Sequence, residues 1–382
     1  VLRSPVVKGT LRRIDTSEAR RLPGVAAVIT HEDVPNNAFG LVPDQPVLAQ
    51  SIRFKGEPIA AVAAVDESTA LRALDWIAVE IDEEEPVFDP LEAMKPGAPV
   101  IFEPDNVVAR WKIVKGDLDT GFAEADVVVE NTFRVPFVEH AFLELESGVA
   151  WVDEQGVINI RVGTQVIEHF RNIARAVGVP QNKIRVRGTL VGGGFGGKED
   201  ITVEIYLALL AKHAQRPVKL VYTREESFIA QSKRHPFIIT HRVGVKKNGR
   251  ITAAKIDMIA DSGAYPYLSP YVLLYATIMA SGPYRIDNLR VDSAAVATNQ
   301  PFTSAFRGFG GPQACIAYEQ QMDEIAKALD IDPLEVRRAN YIKTGERNAT
   351  GQVIRSATWL EESATRALES LGTKTPDDGP VK

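Results

Sequence analysis

Between Leu190 and Asp200 the chain reads Leu190-Val191-Gly192-Gly193-Gly194-Phe195-Gly196-Gly197-Lys198-Glu199-Asp200, in which glycines around one aromatic leave backbone N–H groups uncovered by side chains. Such a run suits an anionic guest, a phosphate or a pyran-linked phosphate above all. Gly192, Gly197 and Lys198 have the spacing of a nucleotide phosphate loop, but Glu199 stands where that loop needs a hydroxyl for Mg²⁺, and a carboxylate there repels phosphate. A second segment, Thr303-Ser304-Ala305-Phe306-Arg307-Gly308-Phe309-Gly310-Gly311-Pro312-Gln313, again joins glycine to aromatics. Its Arg307 is expected in an enclosed site between Phe306 and Phe309, and Pro312 suits a first helical turn. Two such segments point to a shared binding role; a nucleotide module built on the first alone is the competing reading.

The elements that would position these residues follow from periodicity. Apolar, β-branched runs at Val25 to Thr30, Ile59 to Val65 and Ile77 to Ile81 read as strands, with a helix capped by Asp66 after the second. These make a small α+β module over residues 1–90. The charged, turn-rich stretch that follows is expected as a linker over 91–107. In the remaining 108–382, strands are expected at Val127 to Val135, Val157 to Val162, Ile184 to Leu190, Val218 to Thr223 and Ile251 to Ala260. Ile167, Phe170, Ile173, Ala174 and Val177 share a helical face stopped by Gly178, which sets Gln165 at a helix entrance. Ile201 to Ala214 and Gln313 to Leu329 are expected helices, each opened by one of the glycine segments.

Composition narrows the chemistry. The 382 residues are 45% hydrophobic with a net charge of −6, and the basic residues are scattered, so a substantial core is expected and a nucleic-acid surface is not. No apolar run is long enough to span a membrane. The single cysteine, Cys315, cannot hold an iron–sulfur cluster or an internal disulfide and fits a reducing, cytoplasmic compartment. The six histidines show no i, i+4 pair, so a protein-ligated zinc is not expected. His140 and Glu144 are read as a structural pair.

Gly192-Gly193-Gly194-Phe195-Gly196-Gly197-Lys198-Glu199, Ala305-Phe306-Arg307-Gly308-Phe309-Gly310-Gly311-Pro312-Gln313 and Gly163-Thr164-Gln165, in this order and at these separations, closely resemble the molybdenum-binding subunit of the xanthine dehydrogenase/aldehyde oxidase family. The resemblance covers essentially the whole chain. It implies an α+β fold: an α/β hammerhead domain over 1–90, then the first part of a molybdopterin-binding domain over 108–382. It implies molybdenum held by the pterin, expected in its cytosine dinucleotide form, with Gln165 near the metal's oxo group. Gly193, Gly194, Phe195, Gly196 and Gly197 would line the cofactor, and Arg307 would belong to the second cofactor loop. Glu199 would face substrate, and Phe309 would stack on an aromatic one.

Tyr275 occupies the place where purine-oxidising members carry an arginine, which turns the expectation away from xanthine. The second loop lacks the cysteine of the carbon monoxide dehydrogenase branch. The implied reaction is hydroxylation of an N-heteroaromatic, aldehyde or aryl substrate with water as oxygen source. The family's glutamate base falls beyond Lys382, so no catalytic base is named in the chain. Either a truncated frame, favoured by the missing initiator Met and the loose tail Thr373 to Pro380, or a naturally split subunit would account for that; a non-catalytic assembly fragment is a third reading. A C-terminal half of the molybdenum subunit, a 2Fe-2S chain and an FAD chain are the implied partners.

Overall fold

The protein is described here by a computed structural model covering residues 1–371. The tail from Thr373 to Pro380 lies outside the described residues.

The N-terminal module holds two three-stranded sheets. One orders Leu2–Arg3, Pro58–Ala64 and Val25–Thr30; the other orders Ser51–Ile52, Gly9–Asp15 and Ala78–Glu83. The Asp66 carboxylate accepts from the Thr69 N–H at 2.8 Å and so caps the helix Glu67–Asp75, as its residue type predicts.

The rest of the chain is built on two larger sheets. A four-stranded sheet runs Ile184–Gly188, Ile158–Val162, Ser147–Val152, Val218–Val221. A five-stranded sheet runs Val107–Lys115, Leu289–Ala297, Ile251–Gly263, Phe237–Val245, Val127–Val135, with only the Leu289–Ala297 and Ile251–Gly263 pair parallel. In Val127–Val135 every second residue is exposed, the alternation of a strand packed on one face. The helices Ser269–Met279 and Gly311–Leu329 pack on this sheet around a core of Ile239, Ile256, Val291, Leu273 and Ile325.

The helix Glu204–Ala214 buries every residue from Glu204 to Ala211 because it lies between the four-stranded sheet and the N-terminal strands Val25–Thr30 and Pro58–Ala64. Ile29 and Ala61 therefore share one core with Ile160 and Leu207. The two parts of the chain are fused through this helix. Glycine at 148 permits the approach, since a Cβ there would meet Leu207 Cδ1 at 2.8 Å.

The expected linker takes a definite form, and one helix start changes. The segment 91–107 is folded: Asn106 accepts from the Ile101 and Phe102 N–H groups and donates to the Ala93 and Pro99 carbonyls, and Ala93 and Val107 pack against Val296. The charged stretch looks loose in sequence, yet one buried asparagine holds it in place. The helix expected from Ile201 begins at Glu204, separated from the first glycine run by a 3₁₀ turn at Gly197–Glu199. Among the described residues no helix is long and apolar enough to cross a membrane.

Candidate cofactor site

Three sequence-distant segments meet at the glycine run. The Gln165 carboxamide oxygen accepts from the Gly196 N–H at 3.1 Å, and the Gln165 N–H donates to the Lys198 carbonyl at 2.9 Å. The Arg307 N–H donates to the Phe195 carbonyl at 2.9 Å, tying the second loop to the first. Gly194 and Gly196 make this closeness possible. A Cβ on Gly194 would stand 2.3 Å from Gln165 Oε1, and one on Gly196 would stand 2.7 Å from the Ala305 carbonyl oxygen. Gly196 has φ +102°, and Phe195 and Phe309 take left-handed φ of +52° and +47°, which is uncommon for residues with a side chain.

The donor set fits the group that the sequence implies. Among the described residues the N–H groups of Gly193, Gly194 and Phe195 have no protein partner, nor do those of Gly308 and Gly310. Together with the Gln165 amide they present donors suited to the oxygens and phosphate of an anionic pterin. Phe195 is 48% exposed, and the neighbouring Leu190 and Leu143 are 96% and 89% exposed, so an apolar rim lies open beside the loop.

The second loop is braced from behind by Arg234, which sequence reasoning left unassigned, and by His140, which it paired with Glu144. His140 stacks on Phe306 at 4.2 Å and 21°, and the Arg234 guanidinium lies 3.9 Å from the same ring centre. Two groups that close to one ring centre must occupy opposite faces. Arg234 also donates to the Arg307 carbonyl at 2.9 Å, and His140 Nε2 donates to the Ala305 carbonyl at 2.8 Å. A carbonyl only accepts, so Nε2 carries the proton; Nδ1 has no partner, and burial holds the ring pKa below its usual range, leaving it neutral. The polar pair Glu139-His140 between apolar neighbours was the available signal, and only the fold shows that it serves Phe306.

Other expectations fare differently. Glu144 pairs with Lys198 at 2.6 Å and with the Gly192 N–H at 2.6 Å, so the expected His140–Glu144 pair does not form. Lys198 is 1% exposed and also donates to the Glu144 carbonyl, so it is turned inward and is not offered to a phosphate. Arg307 is exposed, not enclosed: its backbone joins the loops while its side chain projects outward. Glu199 is half-buried, and burial raises its carboxyl pKa. Tyr275, 53% exposed on the helix Ser269–Met279, meets Phe309 edge-on at 5.5 Å and 88°. Cys315 is half-buried in the helix Gly311–Leu329, which the second loop does open, with Pro312 in its first turn.

Behind the loops a buried polar chain completes the frame. Ser304 Oγ donates to Asp200 Oδ1 at 2.7 Å, linking the two loops a second time. His169, on the segment after Gln165, lies between Glu204 at 2.9 Å and the Glu199 carbonyl at 2.9 Å. Burial opposes charge on His169, but the Glu204 carboxylate raises its pKa above the usual range.

Residues 101–341 match the family of the molybdopterin cofactor-binding domain, and residues 1–85 match the a/b hammerhead domain of aldehyde oxidase and xanthine dehydrogenase. Over 97% of its length the chain is 38% identical to the nicotinate dehydrogenase large molybdopterin subunit of Eubacterium barkeri, covering 88% of that subunit. Over 93% of its length it is 32% identical to the xanthine dehydrogenase molybdenum-binding subunit of Escherichia coli O157:H7, covering 50% of it. Among solved structures, the aldehyde oxidoreductase of Desulfovibrio gigas superposes with a TM-score of 0.90 at 32% identity, over 96% of this chain and 43% of that one. The quinoline 2-oxidoreductase of Pseudomonas putida 86 superposes with a TM-score of 0.87 at 28% identity, over 97% of this chain and 51% of that one. The chain thus spans most of one relative and about half of the other three.

Proposed function

The chain belongs to the aldehyde oxidase and xanthine dehydrogenase family of molybdopterin-dependent oxidoreductases, and from that premise we propose that it holds the cofactor of a molybdenum hydroxylase. The observation that carries the reading is the convergence of Gln165, the Gly193–Gly197 loop and the Phe306–Gly310 loop through the Gln165–Gly196 and Arg307–Phe195 hydrogen bonds. The bound group supplies a two-electron redox centre, at which an electron-poor carbon is hydroxylated with oxygen from water. The chain's share is placement and electrostatics. Gln165 would be oriented by Gly196 with its amide nitrogen free to donate to the metal's oxygen. The unpaired N–H groups from Gly193 to Phe195 would hold the pterin's anionic side, and Arg307 would add positive charge.

Tyr275 and Phe309 form an aromatic corner suited to one edge of a planar ring, and Glu199, kept from ready ionisation by burial, would meet a polar group on it. An N-heteroaromatic acid is the favoured substrate, with aldehydes next; the name of the Eubacterium barkeri relative supports that order. The inward Lys198 and the Glu199 carboxylate argue against the nucleotide reading. The proposed domain division remains 1–90, 91–107 and 108–382. The general base would come from a further molybdenum-domain segment, which would also cover the open rim at Leu143 and Leu190. With one cysteine in the chain, electrons would leave through a 2Fe-2S partner and then an FAD partner in the cytoplasm. The cytosine dinucleotide form of the pterin completes the proposal.

The test is to produce the chain with that segment and its redox partners, measure molybdenum and pterin per complex, and follow transfer of labelled water oxygen into an N-heteroaromatic acid. Stoichiometric metal with labelled product supports the reading. Tight binding of a nucleoside triphosphate with Mg²⁺ and no metal would replace it.

A further inference from the structure

The Gly192–Lys198 loop contains five glycines, with Gly193 and Gly196 at positive φ, and among the described residues its only internal backbone bond runs from the Gly197 N–H to the Gly194 carbonyl. Ordering so free a segment costs more conformational entropy than ordering a glycine-poor one of its length. Something outside the loop must hold it. One oxygen of Glu144 does so at both ends: Oε2 accepts from the Gly192 N–H at 2.6 Å and from Lys198 Nζ at 2.6 Å. The Lys198 ammonium is anchored again on the Glu144 carbonyl at 2.9 Å and lies 4.7 Å from the Phe142 ring centre.

The glycines around this carboxylate are explained by it. A Cβ on Gly192 would stand 2.7 Å from Glu144 Cβ, and one on Gly163 would stand 3.2 Å from Oε1. Glu144 is thus seated between the start of the Gly163–Gln165 segment and the two ends of the glycine loop. Burial works against its ionisation, but the bonds from Lys198 and Gly192 hold its carboxyl below the usual range, so the clasp is charged near neutral pH.

We propose that Glu144 is a positioning residue whose carboxylate, pinned by Lys198, closes the Gly192–Lys198 loop into a ring and so fixes Phe195 and the cofactor-facing N–H groups. The cofactor as the guest of that ring rests on the reading above; the clasp itself does not.

Glu144→Gln, Lys198→Met and the double variant, each in the complete enzyme, test it by hydrogen exchange of the Gly192, Gly196 and Gly197 amides and by molybdenum and pterin retained through repeated gel filtration. Glu144→Gln is expected to speed exchange at these amides at least tenfold while the amides of Glu204–Ala211 stay unchanged, and to lose cofactor faster than the unaltered enzyme. The double variant should be little worse than Glu144→Gln alone, because both changes open one clasp. Loop and helix amides loosening together would overturn the proposal in favour of a general core role, as would unchanged loop exchange. Should Glu144→Gln fail to fold, Lys198→Met opens the same clasp from the other end and is read by the same criteria. Because exchange is measured independently of metal, an enzyme that holds no molybdenum sinks the function proposed above while the clasp is still decided.

Discussion

The backbone N–H of Arg307 donates to the carbonyl of Phe195 at 2.9 Å, across 112 residues of sequence, and each of the two loops holds one phenylalanine, Phe195 or Phe309, at a left-handed backbone angle. Neither loop has this shape on its own account. Phe195 at φ +52° is held by the bond that also places Arg307, so strain in one loop is sustained by the other. The site is a joint, and substitutions on either side should be felt across it.

Gly194→Ala and Gly196→Ala separate side-chain displacement from backbone strain. Gly194 does not need a positive φ, so alanine there meets only the end of Gln165, at 2.3 Å, and pushes the amide away from Gly196. Thermal unfolding should shift by only a few degrees, while turnover falls on the order of 100-fold through misplacement at the cofactor. Alanine at 196 meets the Ala305 backbone at 2.7 Å with φ at +102°, and should cost about 2 kcal/mol or more of stability as well. Equal melting temperatures for the two variants would contradict this account.

Arg234→Lys keeps the charge but removes the flat face that lies on Phe306 and the fork that reaches both the Arg307 carbonyl and Gln313 Oε1 at 3.3 Å. Loss of a stacked cation and one charge-assisted bond should destabilise the complete enzyme by about 1–3 kcal/mol. Calorimetry with and without cofactor should show the larger drop in the loaded form, because the second loop is then in use. An indistinguishable pair of melting curves would mean that the stack is incidental.

Much of this was legible in sequence because the relevant signals are local. The strand Val25–Thr30 and the cap at Asp66 fall where residue type puts them, and Gly178 ends its helix at φ +71° as expected. The two glycine segments stood out in the sequence, and the structure brings them together through the Arg307–Phe195 bond. What stayed hidden depends on contacts far apart in sequence. Glu144 chose Lys198 over His140 because the loop folds back over it, a pairing that helical or strand spacing cannot encode. Asn106 turns a charged stretch into a packed connector through bonds to Ala93, Pro99, Ile101 and Phe102. Arg307 was read as enclosed because aromatics flank it, yet Phe306 turns inward between Arg234 and His140 while Arg307 turns out.

Asp200→Asn should change how stability depends on pH. Burial pushes the Asp200 carboxyl up to about 7 from 3.8, against the pull of the hydrogen bond from Ser304. Between those values the folded chain keeps a proton that the unfolded chain has lost, so this contribution is complete below about pH 4 and disappears as pH rises through about 7. Asparagine cannot ionise and keeps an oxygen for Ser304. The variant should gain stability relative to the unaltered protein as pH goes from 5 to 8 in denaturant titrations, even though Glu57 and Asp261, both also raised to about 7 by burial, slope both proteins alike. A difference that stays constant across this pH range would remove Asp200 as its source.

The aromatic corner of Tyr275 and Phe309 makes the substrate reading testable without knowing the substrate. Edge-on rings at 5.5 Å gain roughly 0.5–1.5 kcal/mol beyond their burial, and Tyr275 is 53% exposed, so its ring holds Phe309 from the solvent side. If Phe309 stacks on a planar substrate, Tyr275→Ala lets that ring swing and weakens ground-state binding more than the chemical step. The complete enzyme should then show KM for an N-heteroaromatic acid raised about fivefold to tenfold with kcat nearly kept, and a smaller effect for a short aliphatic aldehyde, which has no ring to stack. Phe309→Leu should widen the same contrast. A fall in kcat of equal size for both substrates would mean instead that the corner supports the Phe306–Gly310 loop, and the preference for a planar substrate would have to be sought at Glu199.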